Sequence, residues 1–155
     1  RMNMSVDELK EVYDSGLVEI GAHTQNHPIL ANETETTAQY EIQSSILELS
    51  EILADPVKYF AYPNGIPQID FGKREMNFLK AMNIKLALST ENKSFSIKDN
   101  PLNIPRNGIS KGNKSFLFMK LLIGSKWDIV KKLCLGKQED DYREEIRNII
   151  AKNNR

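Results

Sequence analysis

Cysteine is nearly absent from this chain: 155 residues include one, Cys134. A single thiol excludes an intramolecular disulfide framework and any zinc cluster built on cysteine. Net charge is absent as well. The 21 Lys+Arg balance 21 Asp+Glu, which leaves no bulk electrostatic case for nucleic acid or an anionic membrane as a partner. Long hydrophobic runs are missing too. The longest, Phe116 to Ile123, is interrupted by Lys120 and is far too short to span a bilayer. No signal peptide is expected in this stretch, since Arg1-Met2-Asn3-Met4 leads directly into the polar Ser5-Val6-Asp7-Glu8. An initial Arg in place of Met reads as an internal residue, so the chain is expected to be a piece of something longer.

What is present alternates between helix and strand. Ser5 and Glu8 form a capping-box pattern, and Gly16 can close the helix that follows. Leu17-Val18-Glu19-Ile20 reads as a short strand. Ile42, Ile46, Leu49 and Leu53 recur at helical spacing, and Asp55-Pro56 ends that helix. Val57 to Tyr62 is β-branched and aromatic enough for a strand, halted by Pro63-Asn64-Gly65. A helix from about Gly72 to Met82 and a strand at Ile84–Leu88 follow. Ser89 to Asn103 is polar and irregular, and Asn103-Ile104-Pro105-Arg106 resumes an extended stretch. This alternation points to βαβ units and a parallel sheet. Beyond Ser110 the character changes. Phe116, Met119, Ile123, Trp127, Val130 and Leu133 predict one aromatic-rich amphipathic helix, and Asp140 to Lys152 a second, charged one. The division is therefore an α/β body over residues 1–110 and a helical extension over 111–155. Three or four parallel strands are few for a doubly wound sheet or a barrel, so the body looks incomplete.

Three segments carry candidate chemistry. His23 and His27 lie just after the first predicted strand, at its C-terminal end, where α/β folds place reactive loops. Two imidazoles four apart on a helical turn project to one side and can reach one ion at about 2.0–2.1 Å. An ordinary pair of loop histidines has the same spacing, which alone does not choose between them. Pro63-Asn64-Gly65 follows another strand, and its residues also make a common turn. Arg106 closes the last extended stretch, where a lone arginine is usually a surface ion pair.

Together the three segments resemble the polysaccharide deacetylases, carbohydrate esterase family 4, with their NodB-homology domain. Glu19-Ile20-Gly21-Ala22-His23-Thr24-Gln25-Asn26-His27-Pro28 is similar to that family's H-[ST]-x-x-H motif, Phe60 to Gly65 to its F-[RA]-x-P-[YN]-G, and Ile104-Pro105-Arg106 to its later Pro-Arg. The resemblance covers residues 5 to 110. It implies a partial or distorted (β/α) barrel and hydrolysis of acetyl groups from N-acetylated sugar polymers. It also implies zinc, or another divalent transition metal, held by two histidines and an aspartate, with a second aspartate as base and a further histidine as acid. His23 and His27 match the metal histidines, and Thr24 would support their loop. The Asn64 N–H matches the donor to the oxyanion. Tyr62 and Pro63 would line the sugar groove, and Arg106 would orient an acidic partner. Such a bacterial protein fits the cytoplasm or the cell envelope.

The departures are substantial. No Asp-Asp pair precedes His23; Asp7 and Asp14 fall in a helix, facing solvent by pattern. Asp140-Asp141 comes in the wrong order and reads as a helix N-terminus. Both histidines are already used, which leaves none as acid, and Ala61 stands where many members carry arginine. A catalytic zinc usually takes three protein ligands. The chain is therefore expected to be weak or inactive as it stands, either truncated or degenerate. The alternative is a glycan-binding module of the same fold. The 116–133 helix is expected to pack on the body or to mediate self-association.

Overall fold

The computed structural model describes residues 4–91, 93–106, 113–123 and 126–136, together with 141, 142, 144, 145, 148, 149 and 152. The chain opens on α1 (Val6–Asp14) and β1 (Gly21–Ala22), then a 3₁₀ turn at Leu30–Asn32 leads into α2 (Glu35–Leu53). The order continues with β2 (Tyr59–Ala61), α3 (Lys73–Ala81), β3 (Leu86–Leu88), α4 (Lys114–Ile123) and α5 (Trp127–Leu135). The strands form one parallel sheet in the order β1-β2-β3. Each crossover between neighbours contains a helix, as parallel pairing requires. The expected mixed α/β body with a parallel sheet is therefore present. Among the described residues the sheet has two edges and does not close.

Local chemistry accounts for several of the helix ends. The Ser5 hydroxyl accepts the Glu8 N–H at 3.2 Å, and the Glu8 carboxylate accepts the Ser5 N–H at 2.7 Å, which completes the capping box of α1. Thr34 caps α2 by accepting the Thr37 N–H, so this helix begins well before its first isoleucine. α2 ends on Ala54 in the left-handed region, immediately before Asp55-Pro56. Helix α3 is tied down through Arg74, which donates to the Leu30 and Glu33 carbonyls and pairs with the buried Glu75 carboxylate at 2.6 Å.

The core lies on one face of the sheet. Ala22, Phe60 and Ala87 stand side by side in register and are buried with Ile42, Ile46, Leu79, Tyr62 and Phe71. Helix α2 packs on α3 and on β1, and α1 packs on α2.

Several expectations are corrected. The first strand is Gly21–Ala22 and not Leu17–Ile20: Leu17 is 89% exposed and lies outside the ladder. The ladder selects the glycine, because a Cβ at Gly21 would lie 3.1 Å from the Tyr59 carbonyl oxygen. The single helix over 116–133 is two helices, ending at Ile123 and resuming at Trp127. The boundary near Ser110 falls outside the described residues, whereas within the helix expected from Asp140 to Lys152 the described residues Asp141, Tyr142, Glu144, Glu145, Asn148, Ile149 and Lys152 are all helical.

Candidate functional site

All three motif segments meet at the C-terminal edge of the sheet. The histidine loop follows β1, the Pro63-Asn64-Gly65 turn follows β2, and Ser89 follows β3. Ile104 bridges to Leu88, which brings Arg106 alongside. Backbone bonds join these ends: Tyr62 N–H donates to Leu88, Thr90 N–H to Gly65, and Ser89 N–H to Ile104.

His23 and His27 come together, but on a loop and not on a helical turn. Their ring centroids are 4.8 Å apart, edge to face. Thr24 and His27 both adopt left-handed backbone, with φ of 63° and 58°, a conformation uncommon for residues other than glycine. Three contacts hold the loop in that shape. The Thr24 hydroxyl accepts the His27 N–H at 3.1 Å. The Glu41 carboxylate, buried on α2, accepts the N–H groups of Gln25 and Asn26 at 3.1 and 2.8 Å and the Asn26 side-chain amide at 2.8 Å. Gln25 in turn donates to Glu48. Glu41 is the site residue that sequence reasoning missed. Its signal was an acid set among Ala38, Ile42, Ser45 and Ile46 on the buried face of an amphipathic helix.

His23 Nδ1 lies 2.6 Å from the Ala61 carbonyl oxygen. A carbonyl only accepts, so Nδ1–H is the donor of this bond, and in the neutral ring the lone pair then lies on Nε2. This is the tautomer a metal-binding imidazole needs. Two imidazoles thus fit a divalent transition metal as two of its donors. Among the described residues no group of three His, Cys, Asp or Glu side chains is placed to hold an ion. Asp7 and Asp14 lie on α1 and are exposed.

The Asn64 turn is anchored through its own backbone. Asn64 has φ of 55°, and its carbonyl accepts the Thr90 hydroxyl at 2.7 Å. Gly65 needs to be glycine: φ is +88°, and a Cβ would meet the Tyr62 carbonyl oxygen at 3.0 Å. Tyr62 and Pro63 are corrections to the sequence reading, because both are fully buried and neither side chain can line a groove. Tyr62 stacks on Phe71 at 3.5 Å and donates its hydroxyl to the Leu102 carbonyl at 2.8 Å. Burial, reinforced by the Glu75 carboxylate, pushes its phenol well above the ordinary 10.0. Arg106 donates Nε–H to the Ser89 carbonyl at 3.0 Å. Among the described residues this places the guanidinium on a strand-end carbonyl and not on a carboxylate.

Beside His23, the open face of the sheet carries a cavity of about 520 Å³, lined chiefly by Gly21, Tyr59, Ala61, Leu86 and Leu88.

The polysaccharide deacetylase family model matches residues 1–86. Among solved structures, the chain is similar to the Streptococcus pyogenes deacetylase PplD, determined in complex with acetate, at 24% identity and a TM-score of 0.61, covering 67% of this chain and 44% of that one. IcaB from Ammonifex degensii matches at 23% identity and a TM-score of 0.61, covering 68% and 48%. BC0361, a polysaccharide deacetylase from Bacillus cereus, matches at 26% identity and a TM-score of 0.56, covering 66% and 31%. The chain spans less than half the length of each of these solved relatives. No curated protein matches it significantly.

Proposed function

Because this chain belongs to the polysaccharide deacetylase family, we propose that its site serves a metal-dependent hydrolase removing acetyl groups from N-acetylated polysaccharide, on a partial (β/α)-barrel body. The observation that carries this reading is the paired His23 and His27, 4.8 Å apart at the C-terminal sheet edge, with His23 Nδ1 held by Ala61. These two imidazoles would hold zinc or a related divalent ion. Once bound, such an ion supplies Lewis-acid polarisation of a carbonyl and a lowered pKa for a coordinated water. The chain's own residues do the positioning. Thr24 and Glu41 fix the histidine loop, Thr90 holds the Asn64 turn whose N–H would face a developing oxyanion, and Arg106 fastens the end of β3.

With two imidazoles and no group of three such donors among the described residues, we expect weak metal binding and low turnover from this chain. The same shortage supports a second reading, a glycan-binding module that does not turn over. Zinc titration by calorimetry, with acetate release from a chitooligosaccharide, tests both. We expect zinc binding that His23→Ala abolishes. Binding that survives His23→Ala overturns the metal assignment. Glycan binding with no acetate release at saturating zinc favours the second reading.

A further inference from the structure

The chain-wide charge of zero conceals a local concentration. Between positions 111 and 137 stand seven lysines and a single acid, Asp128. The same stretch carries α4 and α5, and several of their apolar side chains are exposed. On α4, Phe118, Met119 and Leu122 are exposed, Phe118 at 64% and Leu122 at 72%. Their i, i+1, i+4 spacing puts them on one helix face. On α5, Ile129 and Leu133 are i, i+4 neighbours, 59% and 82% exposed. Lys114 and Lys126, beside the starts of the two helices, are exposed as well, while Lys132 pairs with Asp141.

Each candidate occupant predicts something different of this surface. Nucleic acid would engage the lysines and gain nothing from an exposed Phe118 and Leu122. A second copy would cover the apolar faces but set lysine against lysine. An anionic lipid surface matches both features, because acyl chains take up the apolar face while headgroups meet the lysines. None of the described helices is long and apolar enough to cross a membrane, so the contact lies along the surface. We propose that the lysine-rich segment carrying α4 and α5 docks the protein on anionic phospholipid bilayers, with Phe118, Leu122, Ile129 and Leu133 entering the interface.

The full chain is mixed with vesicles of phosphatidylcholine alone or with added phosphatidylglycerol. Binding is followed by co-sedimentation and by the fluorescence of Trp127, the only tryptophan, which begins α5. We expect binding to the anionic vesicles only, a blue shift of the emission, and weakening as salt rises. The pair Phe118→Ser and Leu122→Ser should weaken binding on the order of tenfold or more at unchanged charge. The pair Lys114→Glu and Lys126→Glu should do the same with the apolar faces intact. All four positions are exposed, and circular dichroism checks that both variants stay folded. Absence of binding to anionic vesicles at low salt overturns the proposal. So does binding that the Phe118/Leu122 pair leaves unchanged, which marks a charge-only contact of the nucleic-acid type. A dimer that persists with vesicles present, and that the same pair dissociates, also overturns it in favour of self-association.

Discussion

The histidine loop shows how a few side chains hold backbone that would otherwise relax. Thr24 and His27 occupy left-handed φ values, and each such residue costs on the order of 1 kcal/mol or more unless its surroundings enforce it. Glu41 is the main enforcer, since one buried carboxylate accepts two loop N–H groups and a side-chain amide. Removing it strands those donors. Glu41→Ala should therefore destabilise the fold by about 2–3 kcal/mol, read as a lower urea midpoint at unchanged m-value. Glu41→Gln keeps an acceptor for the backbone and should recover more than half of that loss. The histidine pair itself was legible, because imidazoles four apart after a strand are visible in sequence. The means of pairing was not. A left-handed loop braced from α2 depends on Glu41, 14 residues beyond His27, and a local pattern does not connect the two.

Tyr62 belongs to the scale of the element. Along β2 and its continuation the faces alternate: Phe60 and Tyr62 are buried, while Tyr59 and Ala61 are only partly covered. Two-residue periodicity therefore sends Tyr62 to the core side with Phe60, whereas reading its motif alone sends it to a groove. Tyr62→Phe keeps the stack on Phe71 and loses the bond to Leu102. It should cost about 0.5–1.5 kcal/mol at neutral pH and leave zinc and glycan binding unchanged. The pH dependence follows from the raised phenol. The unfolded chain loses this proton near 10.0 while the folded chain retains it. The phenol's contribution is complete below that value and declines as pH rises above it. Unfolding of wild type and Tyr62→Phe compared at neutral pH and above pH 10.0 should show the stability gap narrowing, and a constant gap would refute the burial argument. Elements with their own punctuation were legible, among them α1 with its capping box and α2 with its Asp55-Pro56 stop. β1 was not, because a two-residue strand is defined by its neighbour, and the apolar letters of Leu17-Val18 face solvent.

At the scale of the molecule, the sheet is one-sided among the described residues. Purely parallel sheets almost always have both faces covered, yet here α2 and α3 lie with the core on the face of Ala22, Phe60 and Ala87. The opposite face shows Gly21, Tyr59 and Leu86, then His23, Ala61 and Leu88, around the open cavity. The parallel sheet was legible from the alternation of elements. The one-sidedness was not, because Val57 to Tyr62 and Ile84 to Leu88 are apolar enough to be buried on both faces. Adjacent residues of β3 now make opposite predictions. Leu86 is 41% exposed, so Leu86→Ser should shift stability by no more than about 1 kcal/mol. Ala87 is fully buried, paired with Phe60 in the ladder and bonded through its backbone to Pro101 and Ile104. Ala87→Asp puts a charge there with no partner and should cost several kcal/mol, enough to unfold a domain of this size. Urea unfolding of the two variants, with sedimentation velocity on each, measures the asymmetry. A large loss at Leu86, accompanied by a change in sedimentation, would mean that a second molecule covers the open face in solution. An unchanged species with a small loss at Leu86 leaves that face, and the cavity beside His23, open to solvent.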